Sequence, residues 1–224
     1  MENQLALMII FLLAILGLLI FNEIVYRRLG LKGEITRKFA HFTATLSTIT
    51  FPYLFNDHWY ILALASFFFI ILFVSRNGTQ LKSIHDINRK SIGSYLLPLS
   101  IYLTFLISFK LENKFLFILP ILVLAICDPM AGILGLNIKT YNHTIQIFGY
   151  NTKKTILGSG SFFVSCFIIC IIGLYFNRMV FDLKTFWLAL GIALLSSLTE
   201  LFSYRGMDNL VIPMTVLLML LIFL

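Results

Sequence analysis

Long apolar segments separated by short polar stretches make up most of the chain, and they predict membrane-spanning helices. A helix needs ~20 mostly apolar residues to cross a hydrocarbon core of ~30 Å. Eight segments approach this length and composition, at 5–21, 39–55, 59–75, 94–109, 115–135, 159–177, 185–203 and 208–224. We therefore expect an all-α integral membrane protein, a polytopic bundle of about eight transmembrane helices that forms a single domain over 1–224.

The composition supports this class. Hydrophobic residues make up 59% of the 224 positions and charged residues 12%, whereas soluble domains carry ~25% charged residues. An ordinary soluble domain and a disordered chain are both excluded. Three cysteines without a CxxC spacing argue against a disulfide framework or a zinc site, and Cys166 and Cys170, four residues apart, are interpreted as small packing residues.

The basic residues fall mainly on one side of the predicted bundle. Most of the 17 lysines and arginines lie in 22–38, 76–93, 136–158 and 204–209. The other side holds only Lys110, Lys114, Arg178 and Lys184. The positive-inside rule places the richer side in the cytoplasm and both termini outside. The net charge of +7 is therefore interpreted as orientation and not as nucleic-acid binding, and the short loops favour a bacterial inner membrane.

Two polar stretches on the cytoplasmic side come before or within predicted spans. Arg37, Lys38 and His41 can share one helical face, although basic residues at a span end also serve as interface anchors, with a histidine that snorkels or caps. Asp128 follows an uncharged run, and intramembrane carboxylates are costly and usually functional. Small residues follow it at Ala131, Gly132 and Gly135, which permit close approach of a backbone or a ligand. The alternative is that Asp128-Pro129 simply breaks the helix.

A third stretch leads into the sixth predicted span. It contains Lys153, Lys154, Thr155, Gly158 and Ser159. Free N–H groups and the positive dipole end of a helix suit phosphate, and lysines add charge. The sequence contains no GxxxxGK(S/T) phosphate-binding loop. A basic cluster that binds anionic lipid is the alternative.

The fourth stretch supplies acids. Glu200 lies inside the seventh predicted span, and Asp208 and Asn209 open the eighth. Carboxylate and amide oxygens are ligands that Mg²⁺ prefers. The alternatives are helix capping by Asp208 and Asn209 and a salt bridge from Glu200 to a bundle Arg or Lys. Taken together, the four stretches predict a site for Mg²⁺ and a nucleoside triphosphate beside the bilayer, since phosphoryl transfer needs basic clamps, acidic metal ligands and positioning.

These stretches resemble the CTP-dependent polyprenol kinase family, which includes phytol, farnesol and dolichol kinases. The resemblance covers about 36–215 and departs from the family at Cys127, where a glycine is usual, and at Leu97, where a tyrosine is frequent. The patterns match in order: RKxxH at Arg37, Lys38 and His41; DxxAxxxG at Asp128, Ala131 and Gly135; K(S/T)xxGS at Lys154, Thr155, Gly158 and Ser159; then a late acid and DNLxxP at Glu200, Asp208, Asn209, Leu210 and Pro213. Gly93 and Pro98-Leu99 form a weaker match.

The resemblance implies transfer of the γ-phosphate of CTP, or of UTP or ATP, to the hydroxyl of a membrane alcohol such as phytol, farnesol, geranylgeraniol or dolichol. It implies catalytic residues, expected here to be Asp128, His41 and Lys154. Nucleotide and phosphate binding would fall to Arg37, Lys38, Lys153, Lys154, Thr155, Gly158, Ser159, Ala131 and Gly135, and Mg²⁺ binding to Asp128, Glu200, Asp208 and Asn209. The lipid tail is expected to lie in lipid or between spans, lined by Phe-rich segments at Phe67, Phe68, Phe69, Phe162 and Phe163. The alternative, which any one of these positions favours, is ordinary lipid-facing surface.

Other functions would require the same groups of residues. A phosphatidate cytidylyltransferase-like enzyme or a CTP-dependent diacylglycerol kinase would also need CTP, Mg²⁺ and a lipid acceptor. A transporter or a lipid-binding membrane scaffold is the alternative of another class. No internal repeat of the kind that many transporters have is evident in the sequence.

Overall fold

The protein is described by a computed structural model that covers residues 2–30, 33–77, 81–85, 91–138, 142–147 and 150–224. In these residues the chain forms ten α-helices, two short 3-10 turns and one β-hairpin. The helices are α1 (Glu2–Leu29), α2 (Gly33–Ser47), α3 (Phe51–Leu54), α4 (His58–Val74), α5 (Lys82–His85), α6 (Gly93–Lys110), α7 (Phe115–Asn137), α8 (Ile156–Arg178), α9 (Leu183–Phe202) and α10 (Asp208–Phe223). The 3-10 turns are Thr48–Thr50 and Ser75–Asn77, and the strands are β1 (Thr144–Ile147) and β2 (Tyr150–Thr155).

Helical structure is present at each of the eight predicted segments. Five helices, α1, α6, α7, α8 and α9, are long and apolar enough to cross a membrane, and α4 and α10 are shorter apolar helices. The segment predicted at 39–55 is formed by α2, the turn Thr48–Thr50 and α3 in succession. The all-α membrane class is therefore supported, whereas the count of eight spans and their orientation stay predictions.

Helix α7 is the centre of the molecule. It is apolar on every face, as expected of a helix that is surrounded by protein, and Leu119, Ile121 and Val123 are fully buried. On one side it packs with α8, α9 and α10 in one apolar cluster. On the other side it meets a second cluster that contains residues of α1, α4 and α6. The Asp128 side chain on α7 consequently faces other helices and is buried.

The alternative that Asp128-Pro129 simply breaks a helix is wrong. Helix α7 continues through Pro120 and Pro129 to Asn137. A proline in a buried helix is tolerated where neighbouring helices hold the backbone in place. Asp128 therefore lies on a continuous helix, and its side chain is directed by that helix into the bundle.

Polar caps set the beginnings of several helices. The Asp57 side chain accepts a hydrogen bond from the Trp59 amide and opens α4, and Asp182 does the same for Thr185 and α9. The Thr155 hydroxyl accepts from the Gly158 amide and opens α8. These bonds satisfy amides that have no partner within the helix.

The hairpin before α8 was not predicted. Strands β1 and β2 pair antiparallel, with Thr144 opposite Thr155. The segment is short and polar, and β-branched residues in it favour extended structure. The hairpin delivers Lys154 and Thr155 to the start of α8.

The interpretation of the cysteines as packing residues is confirmed, since all three are free and buried and the Cys166 and Cys170 sulfurs lie 3.9 Å apart.

Candidate active site

A buried ion pair joins the first two polar stretches. The Lys38 Nζ lies 2.5 Å from Asp128 Oδ2 and 3.2 Å from the Asp128 carbonyl oxygen. Lys38 is 6% exposed and Asp128 4%. Because a buried charge is stable only when it is paired, Lys38 is bound to the carboxylate and is not a solvated interface anchor.

His41 lies beside this ion pair but makes no hydrogen bond to Asp128. Its Nε2 is 3.6 Å from Asp128 Oδ2, is buried, and has no hydrogen-bond partner among the described residues. The side chain neither snorkels to a surface nor caps a helix, so that alternative is wrong. A buried ring nitrogen without a partner is unusual in a native protein, and it is available to a polar group of a ligand.

A second cluster gathers around Lys154. Its Nζ donates to Glu200 Oε1 and lies 3.4 Å from Asp208 Oδ2, while the Ser159 hydroxyl donates to Glu200 Oε2 at 3.2 Å. Burial alone would lower the pKa of Lys154, but Asp208, Glu200 and Asp128 outweigh it and raise that pKa above the usual lysine value. The third and fourth stretches thus meet in the bundle. Glu200 does form the salt bridge to a bundle lysine that was given as an alternative.

The two clusters belong to one charged centre. Arg37 donates to Glu34 at 2.6 Å and interacts electrostatically with both Asp128 and Asp208. Lys154 likewise interacts with Asp128. Six charged side chains from four separate stretches therefore share one end of the bundle, as the sequence predicted: Arg37, Lys38, Asp128, Lys154, Glu200 and Asp208.

Asn209 holds the start of α6. Its Nδ2 donates to the Gly93 carbonyl at 2.8 Å. A Cβ added to Gly93 would lie 3.0 Å from the Gly206 carbonyl oxygen, and Gly206 has φ +90°, a conformation that favours glycine. Helix α10 begins after Met207, whose side chain makes no cap bond. Asp208 Oδ1 nevertheless accepts a hydrogen bond from the Asn209 amide in the first turn of α10 at 3.1 Å, so the capping alternative holds in part for Asp208, whose Oδ2 faces Lys154.

The small residues in this region pack helices together. A Cβ added to Gly158 would lie 3.0 Å from the Ala131 carbonyl oxygen, and one added to Gly135 would lie 2.9 Å from Thr155 Oγ1. Such contacts let α7 and α8 approach closely. In the structure Ala131, Gly135 and Gly158 pack helices together, and phosphate binding by these residues stays a prediction.

The Lys153 side chain lies outside the described residues, as do Lys32, Arg89, Lys90 and Lys139.

Two acidic side chains of the site, Glu200 and Asp208, lie together as a pair of carboxylates. No group of three His, Cys, Asp or Glu side chains is arranged to hold a metal ion in the part of the chain that the structure describes. Glu200 and Asp208 nevertheless converge on one cationic nitrogen, that of Lys154. Mg²⁺ is commonly bound by one or two carboxylates together with substrate phosphates, so this pair has the chemistry that the ion requires.

An apolar cavity adjoins the charged centre. Arg37, His41, Ser94 and Asn209 are among its lining residues, and the remainder of the wall is largely apolar. Phe68 is the one predicted tail-lining phenylalanine in this wall. Phe67 and Phe69 are exposed, as lipid-facing surface would be. Phe162 is buried in the cluster around α7 and α8, and Phe163 packs against it. These four rings do not line this cavity, and their contact with a lipid tail stays a prediction.

Two further residues support the charged side chains: Gly132, one of the small residues predicted to permit close approach, and Glu34, which was not predicted. A Cβ added to Gly132 would lie 2.7 Å from Lys38 Cε, so a glycine at this position makes room for the lysine. Glu34 pairs with Arg37. Glu34 could have been found, because oppositely charged residues three apart on a helix are neighbours. The contact of Gly132 depends on how two helices pack.

Comparison with known proteins adds one line of support. No family model matches the chain, and no solved structure matches it. A phytol kinase of Synechocystis is 28% identical over 201 residues, which cover 89% of this chain and 84% of the relative. The similarity supports a phytol or polyprenol kinase-like family. It extends over most of the chain, and it favours a transferase of the kinase type without indicating a specific member.

Proposed function

We propose that the protein is a Mg²⁺-dependent lipid-alcohol kinase that transfers the γ-phosphoryl group of CTP to the hydroxyl of a membrane isoprenoid alcohol. The observation that carries this proposal is the position of the charged centre. His41 lines an apolar cavity and lies 3.6 Å from Asp128, and Asp128 is bound to Lys38. An alcohol with an apolar tail in the cavity would therefore present its hydroxyl to the charged groups.

The transfer requires a nucleophile, an acceptor for its proton and stabilisation of the phosphates. The alcohol oxygen attacks the γ-phosphorus, and the bond from that phosphorus to the β-phosphate oxygen breaks. The hydroxyl proton passes to Asp128, with His41 positioned between this carboxylate and the cavity. The products are a lipid phosphate monoester and a nucleoside diphosphate.

Cationic side chains would compensate the phosphate charge. Lys154 stands next to the start of α8, where the positive end of the helix dipole favours an anion. Arg37 and Lys38 approach from α2. Glu200 and Asp208 would hold Mg²⁺ together with the phosphates, and the ion would stabilise the charge of the transferring group. Cationic side chains that bind the phosphates and carboxylates that bind the metal ion are widely used in phosphoryl transfer.

The resemblance to CTP-dependent polyprenol kinases supports CTP as the donor, and the phytol kinase relative supports an isoprenoid acceptor. We place the site at the cytoplasmic face of a bacterial inner membrane, where the basic loops are predicted and nucleotides are available. Membrane lipids would surround the bundle.

Position-labelled nucleotide tests the proposal. Purified protein in detergent is given Mg²⁺, a mixture of isoprenoid alcohols and lipid phosphates, and CTP that carries the label at either the α or the γ phosphorus. Label from the γ position in the lipid fraction is expected. Label from the α position would instead indicate a cytidylyltransferase, and no label in lipid from folded protein would favour a transporter or scaffold.

A pair of aspartate variants connects the activity to the site. Asp128→Asn should abolish transfer because the neutral amide cannot accept the hydroxyl proton. Asp57→Asn is the matched control, because Asp57 caps α4 away from the charged centre and asparagine caps about as well. Transfer by Asp128→Asn at the wild-type rate would remove this residue from the reaction.

A further inference from the structure

The cavity beside His41 is elongated along the bundle. Five of its lining residues, Arg37, His41, Ala44, Thr48 and Phe51, recur every three or four positions along α2, the following 3-10 turn and α3. Residues at this spacing lie on one helical face. Fourteen residue steps separate the first from the last, so at ~1.5 Å per residue the cavity extends over ~21 Å.

The facing wall has the same direction and a similar length. Helix α4 runs back alongside α2 and α3, because only a short connection separates Leu54 from His58. Ile61 consequently lies near the Phe51 end, and Leu72 lies near the charged end. Phe68 and Leu64 fill the wall between them.

Polar groups mark only one end of this cavity. Arg37, His41, Ser94 and Asn209 lie at the end that adjoins Asp128 and Asp208. Thr48 lies farther along, but its hydroxyl donates to the Thr45 carbonyl at 2.7 Å and offers no donor to the cavity. The polarity therefore fixes the direction in which an amphiphilic molecule would enter.

The opposite end is closed by packed side chains. Phe51 and Ile61 are 2% and 1% exposed. The ring of Phe11 packs edge-on against that of Phe51, with centroids 5.2 Å apart, and Phe55 packs against it from another side at 5.3 Å. A chain in the cavity would meet this aromatic group and stop.

We propose that this cavity binds the tail of the acceptor alcohol and limits it to about four prenyl units. The inference rests on the proposed function, because it takes the acceptor to be an isoprenoid alcohol. With C–C bonds of ~1.5 Å an extended chain advances ~1.3 Å per carbon, and ~21 Å then holds about 16 main-chain carbons. Four prenyl units have this length, whereas a long polyprenol extends far past Phe51.

Ala65 is the position at which the cavity can be shortened. It lines the wall on α4, one helical turn from Ile61 at the closed end. Ala63, two residues earlier on the same helix, is exposed and does not line the cavity. Ala65→Phe places a ring in the path of the tail, and Ala63→Phe adds the same ring to the outer face as a matched control.

The experiment measures kcat/KM with Mg²⁺-CTP for alcohols of two, three, four and about ten prenyl units. Wild-type protein and Ala63→Phe should prefer four units and use the ten-unit alcohol poorly. Ala65→Phe should lose at least ~10-fold with four units and less than ~2-fold with two, since misfit of a few methylenes changes rates by ~10–200-fold. Equal loss at every length, or efficient use of ten units by wild type, would overturn the inference.

A binding measurement separates this inference from the proposed function. Tritiated geranylgeraniol is bound to detergent-purified protein without nucleotide. If no phosphate is transferred to any alcohol but Ala65→Phe loses binding and Ala63→Phe keeps it, the cavity is a tail site and the proposed kinase activity is wrong. If transfer occurs and Ala65→Phe binds geranylgeraniol as the wild type does, the kinase activity stands and the tail site is wrong.

Discussion

Gly132 leaves the space through which Lys38 reaches Asp128. The two residues come from α7 and α2, and a methyl group on Gly132 would lie 2.7 Å from Lys38 Cε and 3.3 Å from its Nζ. The lysine stem is flexible, so it can move away where the backbone of α7 cannot. The close contact therefore connects helix packing directly to the ion pair at the candidate active site.

Gly132→Ala should lower both activity and stability. The new methyl group displaces Lys38 from Asp128, which costs ~3–5 kcal/mol for a buried charge left without its partner, more than the ~1 kcal/mol by which alanine favours a helix over glycine. We expect at least a ~10-fold fall in kcat, in line with loss of a positioned charge, and a lower Tm than that of Gly160→Ala in detergent. Gly160→Ala is the control, because a methyl group there meets nothing within 4 Å. Equal activity of the two variants would contradict the prediction.

The ion pair itself should show strong coupling between its members. Lys38→Met leaves Asp128 buried without its main partner, which costs ~3–5 kcal/mol. Adding Asp128→Asn removes the remaining charge, so the double variant should regain most of the lost Tm. Neither variant should transfer phosphate. Thermal unfolding in one detergent, followed with the single and double variants, measures the coupling, and additive losses would show that the two side chains act independently.

The sequence was sufficient for the helical segments and for the meeting of the polar stretches. Both follow from patterns along the chain: apolar length, the periodicity of Arg37 and His41, and an unpaired acid at Asp128. The partners could not be derived in this way. That Lys38 binds Asp128 while Lys154 binds Glu200 depends on the rotation and separation of packed helices.

Small residues show why part of the site assignment was ambiguous. Glycine and alanine permit close approach of either a ligand or another helix, and the sequence does not distinguish the two. Gly135 and Gly158 contact one another's helices in the structure. The cavity was missed for a related reason, since α1, α2, α3, α4 and α6 enclose it together and no one segment indicates it.

Gly158→Ala tests whether this residue packs or binds phosphate. Its methyl group would lie 3.0 Å from the Ala131 carbonyl oxygen and 3.0 Å from Thr155 Oγ1. The Ala131 oxygen belongs to the backbone and cannot move aside, so we expect overpacking to lower the free energy of unfolding by ~1–3 kcal/mol. We predict a lower Tm relative to Gly160→Ala in the absence of nucleotide. An unchanged Tm with a raised KM for CTP would instead indicate that Gly158 contacts phosphate.

Lys154 should remain charged well into alkaline solution. Burial lowers its pKa, but the carboxylates of Asp208, Glu200 and Asp128 outweigh burial and raise it. A pKa raised on folding gives stability that is fully present below the unfolded value of ~10.4 and is lost as the pH passes the folded value. The Tm difference between wild type and Lys154→Met should therefore be constant from about pH 7 to 10 and shrink above that range. A difference that already shrinks near pH 8–9 would show that burial prevails and that Lys154 is not held as a cation for phosphate binding.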